Sequence, residues 1–207
     1  GDPSSLAQKA LFFVGEGQNG KSTLTKIIET LAGKPGYSSV TLEKLDDENA
    51  RRNMVGKLFN ISSETKSNSL KNPEIFKMIA AGESVTIKEL YSDKSDIHIN
   101  AKLITACNKM PTTYDSSNGT YRRILYIPFD AFFAVPDPKL ADKILADEVP
   151  GIIAWAVRAY KNLRANDYVF TVSERSIQQV EDYKSENPVQ LFVDDCIDYS
   201  LDNLLKA

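Results

Sequence analysis

Gly15-Glu16-Gly17-Gln18-Asn19-Gly20-Lys21-Ser22-Thr23 is the stretch that decides the fold. It has the pattern G-x-x-x-x-G-K-S, and its neighbours suit it. The apolar run Ala10-Leu11-Phe12-Phe13-Val14 precedes it, and a helix-forming run, Ser22 to Leu31, follows. A strand, a glycine loop and a helix in that order are what a phosphate-binding loop needs. Gly15 and Gly20 permit backbone shapes that a Cβ would obstruct. The loop N–H groups can then converge on phosphate oxygens, reinforced by the positive end of the following helix. In such a loop Lys21 reaches the β- and γ-phosphates of a nucleotide and Ser22 ligates Mg²⁺. A nucleotide with Mg²⁺ is the expected ligand, held by Gly15 to Thr23.

The pattern continues outward from the loop. Leu24, Ile27, Ile28 and Leu31 fall on one face of a helix over 22–32, which Gly33 and Pro35-Gly36 end. Alternation from Tyr37 to Leu42 predicts a short strand, and Asp46 to Met54 has helical spacing. Lys57 to Ile61 reads as a buried strand closed by Ser62-Ser63-Glu64. Asn72-Pro73 opens a helix that Gly82 stops. Residues 84–99 read as two strands around a polar turn at Ser92 to Asp96. Ala101 to Cys107 is nearly continuous in apolar residues, as a central parallel strand is, and it ends at Asn108. Tyr121 to Phe129 reads as a further strand. Beyond 137 helical patterns dominate, over 138–147, 150–164, 173–186 and 189–206. This divides the chain into a core, 1–136, and a C-terminal helical region, 137–207, which reads as cut before a further module. Trp155 is expected in the core.

Composition narrows the function classes. The 207 residues carry a formal net charge of −3, so no global basic field recruits nucleic acid. Any such contact must be a local cluster or a surface shared by subunits. Cys107 and Cys196 form no metal-ligand spacing, and each sits in an apolar run as a reduced, buried thiol would. The single histidine, His98, excludes a histidine-rich metal site. No segment approaches the length of a membrane span, so the expectation is a soluble, intracellular protein with no membrane partner.

Three further features carry chemistry. Glu64 follows an apolar strand downstream of the loop, where an acid orients Mg²⁺ or polarises the attacking water. Asn108 ends a buried strand, where an amide can hold that water or serve as a turn residue. Arg122-Arg123 opens a strand; such a pair either neutralises charge across a subunit interface or makes ordinary surface ion pairs.

The order of these parts resembles the superfamily 3 helicases, in the phage and plasmid branch related to poxvirus-type primase–helicases. The resemblance runs from about residue 10 to 199. Its carriers are GEGQNGKST at 15–23, NISSET at 60–65, FKMIAAGESVTIKELY at 76–91, LITACNKMP at 103–111 and YRRILYIPF at 121–129. It implies an α/β fold: an AAA-like P-loop NTPase core with a parallel central sheet flanked by helices, plus a C-terminal helical region. It also implies a homo-oligomeric ring, a hexamer, with ATP between subunits, and a primase domain in the same polypeptide, which these residues do not contain. Lys21 and Ser22 take the loop roles, Glu64 is the second-motif acid and metal ligand with Ser22, and Asn108 is the sensor. Arg122 or Arg123 is the finger, with Arg123 favoured. Residues 82–99 correspond to a hairpin that grips single-stranded DNA, through Lys88 and Lys94 first and Tyr91 and His98 second. The implied activity is ATP-driven translocation along single-stranded DNA, in the cytoplasm of a bacterial host if phage-encoded. The alternatives are a nucleotide or small-molecule kinase, or a non-catalytic ATP-dependent scaffold.

Overall fold

The computed structural model describes residues 7–63, 70–88, 94–115, 117–189 and 191. Glu64, Tyr91, Cys196 and nearly all of the helix expected over 189–206 lie outside these residues. Seven strands and seven α-helices run along the described residues, with two short 3-10 turns between the first α-helix and the third strand.

Five strands form one parallel sheet in the order β2-β3-β6-β1-β7. They are β1 (Ala10–Val14), β2 (Tyr37–Ser38), β3 (Phe59–Ser63), β6 (Lys102–Cys107) and β7 (Ile124–Pro128). β1 lies between β6 and β7, with Leu11 opposite Ile104 on one side and Leu125 on the other. It is apolar throughout because both of its faces are covered. Ala10, Phe12 and Val14 join Leu103, Phe76, Ile79, Leu45 and Met54 in one buried cluster. Phe13 joins Ile61, Ile104 and Ala106 on the other face, beneath Ile28. The period-two alternation of a strand thus supplies the core on both sides.

Helix α1 (Lys21–Ala32) follows the glycine loop, and α3 (Pro73–Ala81) covers the opposite face. α3 is bounded as its ends dictate. The Asn72 side chain accepts from the Glu74 N–H at 3.2 Å, Pro73 occupies the first turn, and Gly82 closes the helix at φ 73°. β4 (Ser84–Lys88) and β5 (Lys94–His98) form a separate antiparallel hairpin. Helices α5 (Leu140–Asp147), α6 (Val149–Ala165) and α7 (Glu174–Ser185) follow the last strand. Among the described residues no helix is long and apolar enough to cross a membrane.

Four local expectations change. The strand expected over Tyr37–Leu42 is only Tyr37–Ser38, because the buried Asn60 side chain takes over the pairing. Its Oδ1 accepts from Ser38 Oγ and from the Val40 N–H, and its Nδ2 donates to the Val40 carbonyl, each at 2.8 Å. The strand expected from Tyr121 begins at Ile124, and Asn118–Tyr121 is a single helical turn (α4) instead. β5 begins at Lys94, inside the turn expected at Ser92–Asp96. Trp155 is 65 % exposed rather than in the core: α6 has no buried residue, so its apolar face is only partly covered.

Candidate functional site

The loop Gly15–Gly20 joins β1 to α1 at the C-terminal edge of the sheet. Gly17, Gln18 and Gly20 have φ of 60°, 48° and 90°, the left-handed region that glycine tolerates best. Gly15 meets a closer constraint: a Cβ there would lie 2.1 Å from the Phe129 carbonyl oxygen. Gly20 caps α1 without a side-chain hydrogen bond, and the helix has no acidic residue in its first turn. The first N–H groups of α1 are therefore not spent on a capping side chain, which is the donor set an anion requires.

Lys21 sits over this cradle and is only 8 % exposed. Its Nζ donates to Asn19 Oδ1 at 3.0 Å and to the Gly15 carbonyl. Burial lowers its pKa, with a smaller opposing influence from Cys107. Asn19 in turn donates through Nδ2 to the Phe129 carbonyl at 2.8 Å. The lysine and the segment after β7 are thus linked through one amide. Ser22, the expected metal ligand, is exposed. Its expected partner Glu64 lies outside the described residues, and no cluster of three His, Cys, Asp or Glu exists among the described residues. A divalent ion here would come with a polyphosphate, as Mg²⁺ commonly does.

Asn108 follows β6, the strand beside β1, and the Gly15 N–H donates to the carbonyl of its neighbour Cys107 at 3.2 Å. Cys107 itself is buried. Asn108 is exposed and lines a cavity of about 590 Å³ with Val14, Thr113, Asp182 and Asn187. The structure therefore brings Asn108 to the loop. Helix α7 closes this cavity and braces the segment after β6. Asn187 Nδ2 donates to the carbonyls of Thr113 and Asp115 and to Tyr121 Oη, at 2.9, 3.1 and 2.8 Å. Tyr183 Oη donates to the Pro111 carbonyl.

Asp115 anchors the turn that leads to the arginine pair. Burial pushes its carboxyl up, but hydrogen bonds from Thr120, Ser117 and Lys77 outweigh that and hold it at about 2, against an ordinary 3.8. Its folded value lies below its unfolded one, so its contribution to stability is complete above about pH 4 and disappears as pH falls through about 2. At about 1.4 kcal/mol per unit the contribution is roughly 2 kcal/mol. Asp115→Asn is expected to cost about that much near neutrality and to narrow its deficit towards pH 2, as denaturant titrations at several pH values would show. A deficit independent of pH would contradict this.

The two arginines just before β7 have different fates. Arg123 is 6 % exposed, its Nη1 donates to the Gly119 carbonyl at 2.7 Å, and its buried Nε has no hydrogen-bond partner among the described residues. Arg122 is exposed. Both stand at the N-terminal edge of the sheet, since the Ala10 N–H donates to the Arg123 carbonyl. They are therefore at the opposite end of β1 and β7 from the glycine loop.

In the hairpin, the ladder's last pair is Lys88 opposite Lys94. Like charges directly opposite one another destabilise a ladder by a few tenths of a kcal/mol to about 1 kcal/mol. One is compensated: Lys94 Nζ lies 2.7 Å from Glu48 Oε1. His98 stands at the other end of the ladder, opposite Ser84, with Nδ1 2.9 Å from the Gly82 carbonyl. The structure thus joins Lys88 and Lys94 and separates His98 from them.

Sequence reasoning missed Arg51. It lies on α2 (Glu48–Arg52), is buried, and clamps the hairpin: Nε donates to the Thr86 carbonyl at 2.9 Å, Nη2 to the same oxygen, and Nη1 to the Leu45 carbonyl at 2.6 Å. Its sequence signal is faint, an arginine in a polar run.

Comparison with known proteins fits this geometry. The chain is 27 % identical over 135 residues to "Putative helicase 121R" of Invertebrate iridescent virus 3, covering 60 % of this chain and 14 % of that protein. It is 26 % identical over 149 residues to "Putative helicase L207/L206" of Acanthamoeba polyphaga mimivirus, covering 69 % and 15 %. The chain thus spans about a seventh of the curated relatives it matches. The apo structure of the NrS-1 C-terminal region (305–718) superposes with a TM-score of 0.59 at 17 % identity, over 86 % of this chain and 43 % of that one, and shows the fold. Both curated relatives carry the name "Putative helicase", and the described sheet and helices share the fold of the NrS-1 C-terminal region. Residues 13–123 match the family described as "Family of unknown function (DUF5906)", and the chain belongs to that family.

Proposed function

We propose that this chain is the ATP-hydrolysing motor of a DNA helicase of the phage or plasmid primase–helicase type, moving along single-stranded DNA with its active sites at subunit interfaces. The observation that carries the reading is the glycine loop: an uncapped α1 N-terminus, a buried Lys21 and Asn108 share one edge of the sheet. The loop N–H groups and Lys21 would hold the phosphates, and Ser22 with Glu64 the Mg²⁺. ATP supplies a phosphoryl group whose transfer to water releases the energy. Asn108 would orient that water. Of the two arginines, Arg122 has the exposure that contact with a neighbouring subunit requires, whereas the Arg123 guanidinium is held inside its own chain. We therefore assign the finger to Arg122. The kinase and scaffold readings gain no specific observation of their own.

DNA contact is assigned to the paired Lys88 and Lys94. The exposed Glu48–Lys94 pair is worth little and exchanges readily for a phosphate. Replacing both lysines by alanine is expected to weaken binding to a labelled single-stranded oligonucleotide about tenfold. It should also flatten the salt dependence, since each lost phosphate contact removes about 0.7 from the log–log slope. Basal ATP turnover should persist. An unchanged slope in a fluorescence-anisotropy titration would remove the hairpin from the DNA path.

A further inference from the structure

A groove of about 570 Å³ lies against β2, the end strand of the sheet, and its lining includes Tyr37, Ser39, Arg52, Asn53 and Lys57. It holds two cations and no carboxylate, in a chain whose net charge is −3. Arg52 is half-buried, yet its guanidinium and the neighbouring Asn53 amide make no hydrogen bond or ion pair among the described residues. Lys57 Nζ donates to the Pro35 carbonyl at 3.0 Å and has further N–H groups to offer. A half-buried guanidinium carries a desolvation cost that an acceptor would offset. Donors gathered at a concave surface with no acidic neighbour in the lining are what an oxyanion completes, through charge-assisted hydrogen bonds.

Helix α2 joins this groove to the hairpin. Glu48, its first residue, holds Lys94 of β5 at 2.7 Å. Arg51 holds the Thr86 carbonyl of β4 at 2.9 Å. Arg52 follows Glu48 by four positions, so the two lie on one face of the same short helix. Lys88 and Lys94 at the end of the hairpin ladder, then Arg52 and Lys57 beyond α2, lead from the hairpin to β2. We propose that the groove is a second contact for single-stranded nucleic acid, in which Arg52 and Lys57 bind phosphates of the strand that the hairpin lysines hold. This rests on the single-stranded DNA reading of the hairpin given above. Such a groove tracks the backbone through charge and reads no sequence. It is also the local cluster that a chain of negative net charge needs for this contact.

The test titrates the unaltered chain and three variants with a labelled single-stranded DNA oligonucleotide over a series of salt concentrations. Arg52→Gln with Lys57→Gln removes both charges, Arg52→Lys with Lys57→Arg keeps them, and Asn53→Asp puts a carboxylate into the groove at an exposed position. Each phosphate contact on a single strand contributes about 0.7 to the log–log salt slope, so the glutamine pair should lower it by about 1.4 and weaken binding about tenfold at low salt. The charge-keeping pair should retain the slope, and Asn53→Asp should weaken binding severalfold. Asn53→Asp decides alone if the glutamine pair does not fold. An unchanged slope in the folded glutamine pair, or an unchanged affinity in Asn53→Asp, overturns the groove, while weakened binding on replacing Lys88 and Lys94 shows that the hairpin reading stands. If the unaltered chain does not bind the oligonucleotide, the DNA reading fails and takes the groove with it.

Discussion

Lys21→Ala is expected to abolish ATP turnover, with a loss of about 10³-fold or more in a phosphate-release assay. The magnitude follows from where the amine sits. Lys21 is almost fully buried in a loop lined by backbone donors, and it is held by Asn19 Oδ1 and the Gly15 carbonyl. Burial lowers its pKa, because the charge is carried at a cost in desolvation that a bound polyanion repays. A preorganised cation facing developing phosphate charge in a partly dry site is among the strongest catalytic contributions known, and removing a single such donor costs about 10²–10³. Here ground-state binding is lost as well. Alanine leaves Asn19 bonded to Phe129, so the loop keeps its shape and the effect is functional. Turnover in the variant equal to that of the original chain would contradict the phosphate-loop assignment.

Arg122→Ala is expected to reduce turnover by about 10³-fold while leaving ATP affinity within a fewfold, since arginine fingers are worth about 10³–10⁵ in rate. The sheet places Arg122 at the opposite edge from its own glycine loop, so any contact with ATP must be made in a neighbouring subunit. This gives a sharper test than the single variant. Mixing Arg122→Ala with Lys21→Ala subunits should restore part of the turnover, because the intact arginine of the second faces the intact loop of the first. Failure to complement in an assembled mixture would contradict the interface site. Arg123→Ala should instead lower stability, since its guanidinium holds the Gly119 carbonyl within the same chain.

Sequence carried those parts of the molecule whose causes are local. The glycine loop, its flanking strand and helix, the Asn72 and Gly82 boundaries of α3 and the central strand β6 follow from caps, turns and apolar runs that involve neighbours in the chain. The exceptions depend on residues far apart. Asn60 replaces the β2 ladder from 20 positions away, and Arg51 reaches 35 positions to Thr86. Neither bond leaves a periodic trace. The pairing of Lys88 with Lys94 depends on hairpin register, which spacing alone left open. The choice between Arg122 and Arg123 turns on which side chain the Asp115 turn leaves outside, and adjacent arginines look alike in sequence. Trp155 misled because apolar periodicity marks a face without saying what covers it.

The central claim is that ATP is hydrolysed between subunits and that hydrolysis is coupled to single-stranded DNA. The most direct test is steady-state turnover per subunit measured across protein concentration, with and without a single-stranded oligonucleotide. The account predicts turnover that rises with concentration as subunits meet and rises further with DNA. Turnover that is constant with concentration and indifferent to DNA would contradict it and point to a self-contained phosphoryl-transfer site.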